Sequence, residues 1–321
     1  MTDSAVTDVI DVLMVGPMPP TITQHVDRHY RLHRWWEIDD QAGFLRTHGQ
    51  SVRGVVTSGR HGATRELIES LPRLEAIISQ GVGYDPIDIN AAKSRNVVVT
   101  NTPGVLNDCV ADTALSLILN VSRRLCQADR FVRDGRWPNE AFPLTIKPSG
   151  KRCGIVGLGN IGLQVAKRAE AFDMSIAYYN RRPRDDAPSQ YHYYGDLIAL
   201  AQNSDFLVVV VPGGSDTLHL INDAVLNALG PTGYLINVAR GSVVDETALI
   251  TALQEGRLAG AGLDVFEHEP HIPQALLDME QVVVYPHLAS GTQETRQAMA
   301  DLVVNNLDGW FTQRQVLTRV V

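Results

Sequence analysis

The stretch Lys151–Gly162 reads KRCGIVGLGNIG, with glycines at Gly157, Gly159 and Gly162. This spacing directly follows an apolar β-branched run and precedes a helical pattern reaching about Phe172, and such a turn suits a pyrophosphate. The first glycine closes the turn, the second lets the backbone approach the phosphates, and the third lets helix and strand pack closely. Asn160 and Ile161 complete the turn, and the helix N-terminus offers free N–H groups and a partial positive charge. At the end of the next strand, Ser175–Tyr179, a chain that binds NAD carries an acidic residue for the ribose hydroxyls. Here the sequence is Asn180-Arg181-Arg182-Pro183-Arg184. With no carboxylate to repel a 2′-phosphate and adjacent guanidiniums to clamp it, NADP(H) is expected in preference to NAD(H). A solvated basic turn ahead of Asp185-Asp186 is the alternative.

Three further segments bring groups that can hold an anion or move a proton: Val238-Ala239-Arg240-Gly241, Asp264 to Pro270, and Pro286-His287-Leu288-Ala289-Ser290. Each follows a strand pattern, and in an open α/β sheet ligands bind at the carboxyl ends of the strands. Singly, each has an ordinary reading. Arg240 could cap a strand–loop junction, Glu269 could be a solvated loop carboxylate, and His287 is one of ten histidines.

These residues need a scaffold, and short β-branched runs alternate with helical patterns from end to end, which predicts parallel α/β sheets with right-handed crossovers. One set of runs is Val9–Val15, Arg53–Thr57, Leu74–Ser79 and Val97–Thr100. The other is Arg152–Val156, Ser175–Tyr179, Phe206–Val211, Tyr234–Val238, Gly260–Val265 and Gln281–Tyr285. Between the sets, Val110, Ala114, Leu117, Ile118, Val121, Leu125 and Ala128 recur at spacings of three and four, which predicts one long helix over Asn107–Arg133. Prolines at 138, 143 and 148 make Gly135–Gly150 a loop. A last helical pattern spans Thr292–Gln313, too short to fold alone and expected to return to the N-terminal sheet.

The 321 residues suffice for two domains. The formal charge of −8 argues against a nucleic-acid partner, since phosphate contacts need a basic surface. Cys109, Cys126 and Cys153 are an odd number with no CxxC spacing, so neither a zinc site nor a disulfide framework is expected, and a reducing, cytoplasmic setting fits; no metal site is expected elsewhere. Asp3, Asp8 and Asp11 give the N-terminus the wrong charge for a signal peptide, and no apolar run is long enough to span a membrane.

Together the segments Gly81-Val82-Gly83-Tyr84-Asp85, Asn101-Thr102-Pro103, Gly154–Gly162, Asn237–Asp245, Gly262–Pro270 and Pro286–Thr292 resemble the D-isomer-specific 2-hydroxyacid dehydrogenase family, and within it the glyoxylate/hydroxypyruvate reductase branch. The resemblance covers nearly the whole chain. It implies two doubly wound parallel-sheet α/β domains, a Rossmann cofactor domain (101–287) inserted into a flavodoxin-like substrate domain (1–100 plus 288–321). It also implies a homodimer.

The same resemblance implies NADPH-dependent reduction of a small 2-oxo acid to the D-2-hydroxy acid. Arg240 would hold the carboxylate and polarise the carbonyl. His287 would give the proton, and Glu269 would orient the imidazole and favour its charged form. The Gly81-Val82-Gly83 turn would present N–H groups to the substrate carboxylate, and Trp137 would reach the substrate pocket of the partner subunit or serve as an ordinary aromatic at a dimer interface. Further cofactor contacts are expected from Val211, Pro212, Thr217, Val238, Ala239 and Ala289, with Asp264 beside the nicotinamide. Two departures from the family pattern, Ala289 for a glycine and Asp112 for a glutamate, touch pocket shape without removing a catalytic group. The competing readings are a non-catalytic dinucleotide-sensing protein and an NAD-linked dehydrogenase of another hydroxy acid.

Overall fold

A computed structural model describes residues 9–321, so Asp3 and Asp8 lie outside the described residues. The chain divides into two compact units. One comprises the residues up to Val105 together with Thr292–Val321, and the other is Leu106–Gly291.

The first unit holds β1 (Asp11–Met14), β2 (Arg31–Arg34), β3 (Val52–Ser58), β4 (Ala76–Gln80) and β5 (Val98–Thr100), all parallel, in the order β2-β1-β3-β4-β5. This is the flavodoxin-like order. Because helices cover both faces, the central strands carry consecutive buried apolar residues, Val12-Leu13, Val55-Val56 and Ile77-Ile78, instead of an alternating pattern. The helix Gln293–Gln313 packs on β4, with Val303 and Leu307 fully buried against Ile78 and Val98. Its start is set by Thr292, whose hydroxyl accepts the Thr295 N–H at 3.3 Å. Beyond it the C-terminal residues bond to β5, with the Val320 N–H donating to Val99 O at 2.7 Å.

The second unit holds β6 (Arg152–Val156), β7 (Ser175–Tyr179), β8 (His192–Tyr194), β9 (Phe206–Val209), β10 (Tyr234–Asn237), β11 (Gly260–Leu263) and β12 (Val282–Val284). All pairs are parallel and the order is β12-β11-β10-β9-β6-β7-β8. Counted from β6, this is the Rossmann order with one strand added, and the chain reverses direction across the sheet between β6 and β9. The glycine turn therefore opens at the switch point.

Three features depart from the sequence expectation. The unit boundaries fall at 105/106 and 291/292 instead of 100/101 and 287/288. Residues 101 and 102 still bond into the first unit, through Asn101 N–H to Thr318 O and Thr102 N–H to Gly81 O, whereas Leu288 and Ala289 are held by Asp264 of the second. The expected long helix is two, Asn107–Arg123 and Leu125–Arg133, because Arg124 takes a left-handed conformation with φ 52°. The apolar stripe ends there too: Leu117, Ile118 and Val121 are buried, but Leu125 is 43% exposed. The strands β2 and β8 were not expected, since RLHR and HYY are short and lack a β-branched run.

The helix Asn107–Arg123 is the main packing element beside β10 and β11. Leu117 is fully buried, and its Cβ would lie only 2.9 Å from a Cβ placed on Gly262 of β11. Leu117→Ala should cost about 2–5 kcal/mol, read as a lowered denaturation midpoint. An unchanged midpoint would mean that this contact does not hold the unit together.

Candidate active site

The glycine turn has the three properties its sequence requires. Gly157 has φ 104°, and a Cβ there would meet Val211 Cγ1 at 2.8 Å. A Cβ at Gly162 would meet Gly157 O at 2.3 Å, so the helix could not pack so closely with any side chain at that position. At Gly159 a Cβ would meet nothing within 4 Å, which leaves open space at the N-terminus of the helix Asn160–Glu170. No acidic residue stands in that helix's first turn. The cradle fits a dinucleotide pyrophosphate.

Asn180 and the arginines after it do different jobs. The Asn180 side chain accepts the Leu158 N–H at 2.8 Å, so it steadies the glycine turn. Arg184 donates to Leu158 O at 3.2 Å and pairs with Asp186, while its own N–H donates to the Tyr178 hydroxyl at 3.2 Å. Arg181 and Arg182 are exposed, and Arg181 stands 3.6 Å from Asp216. Two guanidiniums are thus presented outward by a turn that a third holds in place.

The ends of β10, β11 and β12 bring the expected acid–base set together. Arg240 follows β10, where the Asn237 side chain donates to Arg240 O at 3.0 Å and accepts the Ala239 N–H at 3.0 Å. Nδ1 of His287 lies 2.7 Å from Oε2 of Glu269, and Oε1 of Glu269 accepts the Phe266 N–H at 3.1 Å. Because Nδ1 faces the carboxylate, Nε2 is the nitrogen left to exchange a proton with a ligand. Burial tends to raise the Glu269 pKa, but the hydrogen bond and charge of His287, the Phe266 N–H and the Arg240 charge outweigh it and hold the carboxyl below its ordinary value.

Asp264 has a task within the fold. Its side chain is fully buried: Oδ1 accepts the Leu288 N–H at 2.8 Å and Oδ2 the Ala289 N–H at 3.0 Å. Burial pushes its pKa up, opposed by these two bonds. The carboxylate holds the loop that carries His287, a residue in left-handed conformation at φ 53°. Nothing in the sequence signals that job, because a strand-end aspartate has the same appearance whether it faces a ligand or a neighbouring loop.

The remaining expected residues are placed as follows. Val211 and Pro212 follow β9, where the Thr217 hydroxyl donates to Pro212 O at 2.7 Å. Val238, Ala239 and Ala289 are buried. Trp137 is 68% exposed on the loop after the helix Leu125–Arg133. In the first unit, the Gly81 N–H donates to the Thr102 hydroxyl at 2.9 Å and is already used, which leaves the Val82 and Gly83 N–H groups of that turn. Among the described residues no cluster of His, Cys, Asp and Glu could hold a metal ion, and no helix is long and apolar enough to cross a membrane.

A Rossmann sheet with a phosphate cradle at its switch point, and a carboxylate-paired imidazole and a guanidinium on the same edge, defines a dinucleotide-dependent oxidoreductase. Comparison with known proteins narrows this class. The family model for the D-isomer specific 2-hydroxyacid dehydrogenase NAD binding domain matches residues 115–289, and the chain belongs to that family. The chain is 50% identical over 314 residues to a hydroxyphenylpyruvate reductase of Plectranthus scutellarioides, covering 98% of this chain and 100% of that protein. It is 49% identical to a glyoxylate/hydroxypyruvate reductase of Arabidopsis thaliana, covering 97% and 99%. The solved NADPH-dependent glyoxylate/hydroxypyruvate reductase of Sinorhizobium meliloti, in complex with NADP and malonate, superposes with a TM-score of 0.91 at 45% identity and 97% coverage of both chains.

The Glu269–His287 pair has a pH signature. A carboxyl held below its ordinary value of 4.5 stabilises the folded unit at neutral pH, and this contribution is lost as pH falls through the lowered pKa. The melting-temperature difference between wild type and Glu269→Gln should therefore shrink as pH is lowered from 7 to below about 4. A difference that stays constant would show that the pair does not form.

Proposed function

We propose that the protein is an NADPH-dependent reductase of small 2-oxo acids, with glyoxylate and hydroxypyruvate as first candidates and hydroxyphenylpyruvate as a larger one, giving the D-2-hydroxy acid. The observation that carries this reading is the 2.7 Å pair of His287 with Glu269 on the strand-end edge that also bears Arg240. The bound nicotinamide supplies the hydride for the carbonyl carbon. Arg240 pairs with the substrate carboxylate and withdraws electron density from the carbonyl, so negative charge developing on its oxygen is stabilised. His287, oriented by its 2.7 Å contact with Glu269, gives its Nε2 proton to that oxygen, and in the reverse direction takes it back.

The preference for NADP(H) over NAD(H) rests on Asn180 in the place of an acid and on the outward guanidiniums of Arg181 and Arg182. Homodimer formation is supported by exposed apolar side chains on the helix Leu125–Arg133 and the loop after it: Val132 at 53%, Trp137 at 68%, Leu144 at 101% and Ile146 at 44%. The three free cysteines fit a reducing, cytoplasmic location. The net charge of −8 weighs against a nucleic-acid partner.

Recombinant protein mixed with hydroxypyruvate or glyoxylate should consume NADPH, read by loss of its absorbance, and His287→Ala should lower kcat by about 10²–10⁴-fold. Binding of NADPH without turnover of any of the three oxo acids would favour a dinucleotide-sensing role. Replacing Arg181 and Arg182 together with alanine should raise KM for NADPH about tenfold, a loss of about 1.4 kcal/mol, and leave KM for NADH unchanged. Equal effects on both cofactors would refute the 2′-phosphate assignment.

A further inference from the structure

We propose that Glu246 is a positioning residue for the Glu269–His287 pair and acts, together with His219, through Glu267. The inference rests on the acid–base role proposed for His287. Glu269 can orient the imidazole only if the loop from Asp264 to Pro270 is itself held still. Asp264 ties its first residue to the His287 loop, and Glu246 grips it three residues on. Oε1 of Glu246 accepts the Glu267 N–H at 3.3 Å, and the Glu246 N–H donates to Oε1 of Glu267 at 3.4 Å. The same Glu267 oxygen stands 2.8 Å from Nε2 of His219.

These contacts join three chain segments, of which only the loop after β11 carries a member of the acid–base set, Glu269. His219 belongs to the segment after β9, has φ 48°, and its N–H donates to Ser242 O at 2.8 Å. Glu246 is the first residue of the helix Glu246–Gln254, and Glu267 belongs to the loop after β11. The Glu246 side chain is not needed to cap its helix, because Asp245 does so by accepting the Ala248 N–H at 2.9 Å. It turns back onto the loop instead and is 7% exposed.

This placement carries a penalty. Burial raises the Glu246 pKa and the neighbouring Glu267 charge adds to the rise, only partly offset by the Glu267 N–H. What the arrangement secures is the 266–267 peptide, and the Phe266 N–H beside it is the donor that holds Oε1 of Glu269. Without the grip of Glu246 that donor can turn away, Oε2 loses its alignment with Nδ1, and proton donation slows while cofactor and substrate contacts persist.

The test compares the full-length wild type with Glu246→Ala, Glu246→Gln and His219→Ala, using NADPH and hydroxypyruvate as probes. In Glu246→Ala kcat should fall about tenfold with KM for both probes within about twofold, and the solvent deuterium isotope effect on kcat should rise as proton transfer becomes limiting. Glu246→Gln keeps an oxygen acceptor for the Glu267 N–H and should recover most of the rate. His219→Ala, which removes the exposed anchor of Glu267, should lower kcat about threefold and keeps the proposal testable if Glu246→Ala does not fold.

A readout independent of turnover is the downfield Nδ1–H resonance of His287, expected in wild type and Glu246→Gln and lost in Glu246→Ala. Unchanged kcat and an unchanged resonance in Glu246→Ala would overturn the inference, as would a glutamine variant as impaired as the alanine one. A wild type that turns over no oxo acid would refute the functional reading. The resonance would then still decide whether Glu246 positions the pair.

Discussion

The candidate acid–base site depends on the buried carboxylate of Asp264. A carboxylate in an apolar sheet is unfavourable unless its oxygens are hydrogen-bonded, and here each oxygen takes one N–H from the loop after β12. These bonds offset the backbone penalty at His287, whose left-handed conformation costs a non-glycine residue about 1–2 kcal/mol. Asp264 also extends the peptide ladder beyond the strands: its N–H reaches Asn237 O at 3.0 Å, and its carbonyl accepts the His287 N–H at 2.8 Å. The registers that pair Asn237 with Leu263 and Leu263 with Val284 are thereby carried past the sheet edge into the loops. Arg240 and His287 are placed by sheet geometry rather than by loop packing.

Parallel strands are the reason one edge can hold so much chemistry. Every loop that follows a strand emerges on the same side, so β6, β7, β10, β11 and β12 deliver the phosphate cradle, the arginine turn, Arg240, the Asp264–Pro270 loop and His287 to one rim. Helix N-termini gather there as well and add fixed positive potential. This matters in a chain of net charge −8, where the overall field opposes anions and only local cations and oriented N–H groups can hold them.

Much of this was legible in the sequence, and the parts that were not share a physical cause. The glycines at 157 and 162 answer local steric demands of the turn, Gly159 keeps the space at the helix N-terminus open, and the sheet pattern follows from β-branched runs. Arg240, Glu269 and His287 were visible as residue types at strand ends, and family resemblance joined them. The burial of Asp264, the grip of Glu246 on Glu267 and the spending of the Gly81 N–H on Thr102 are contacts between segments distant in sequence, and no local pattern encodes them. The break at Arg124 escaped for a related reason. Its left-handed backbone accompanies an ion pair with Glu280, 2.6 Å away and far along the chain, while the helical periodicity of apolar residues runs on through the break.

The two electrostatic tasks of the second unit are solved in opposite ways. Asp264 and Glu246 are removed from water and tied to backbone N–H groups, so their cost is met on folding and their geometry is set before any ligand arrives. Arg181 remains hydrated, and its 3.6 Å pairing with Asp216, between side chains 86% and 80% exposed, is worth at most about 1 kcal/mol. So weak a partner is readily exchanged for a phosphate carrying nearly two charges. Arg184 supplies the rigidity that the exposed arginines lack, since its bond to Leu158 O locks the turn to the glycine cradle. Cofactor choice can therefore change through exposed side chains on a fixed turn, at little risk to the fold. The candidate acid–base site, held by buried carboxylates, leaves far less room for substitution.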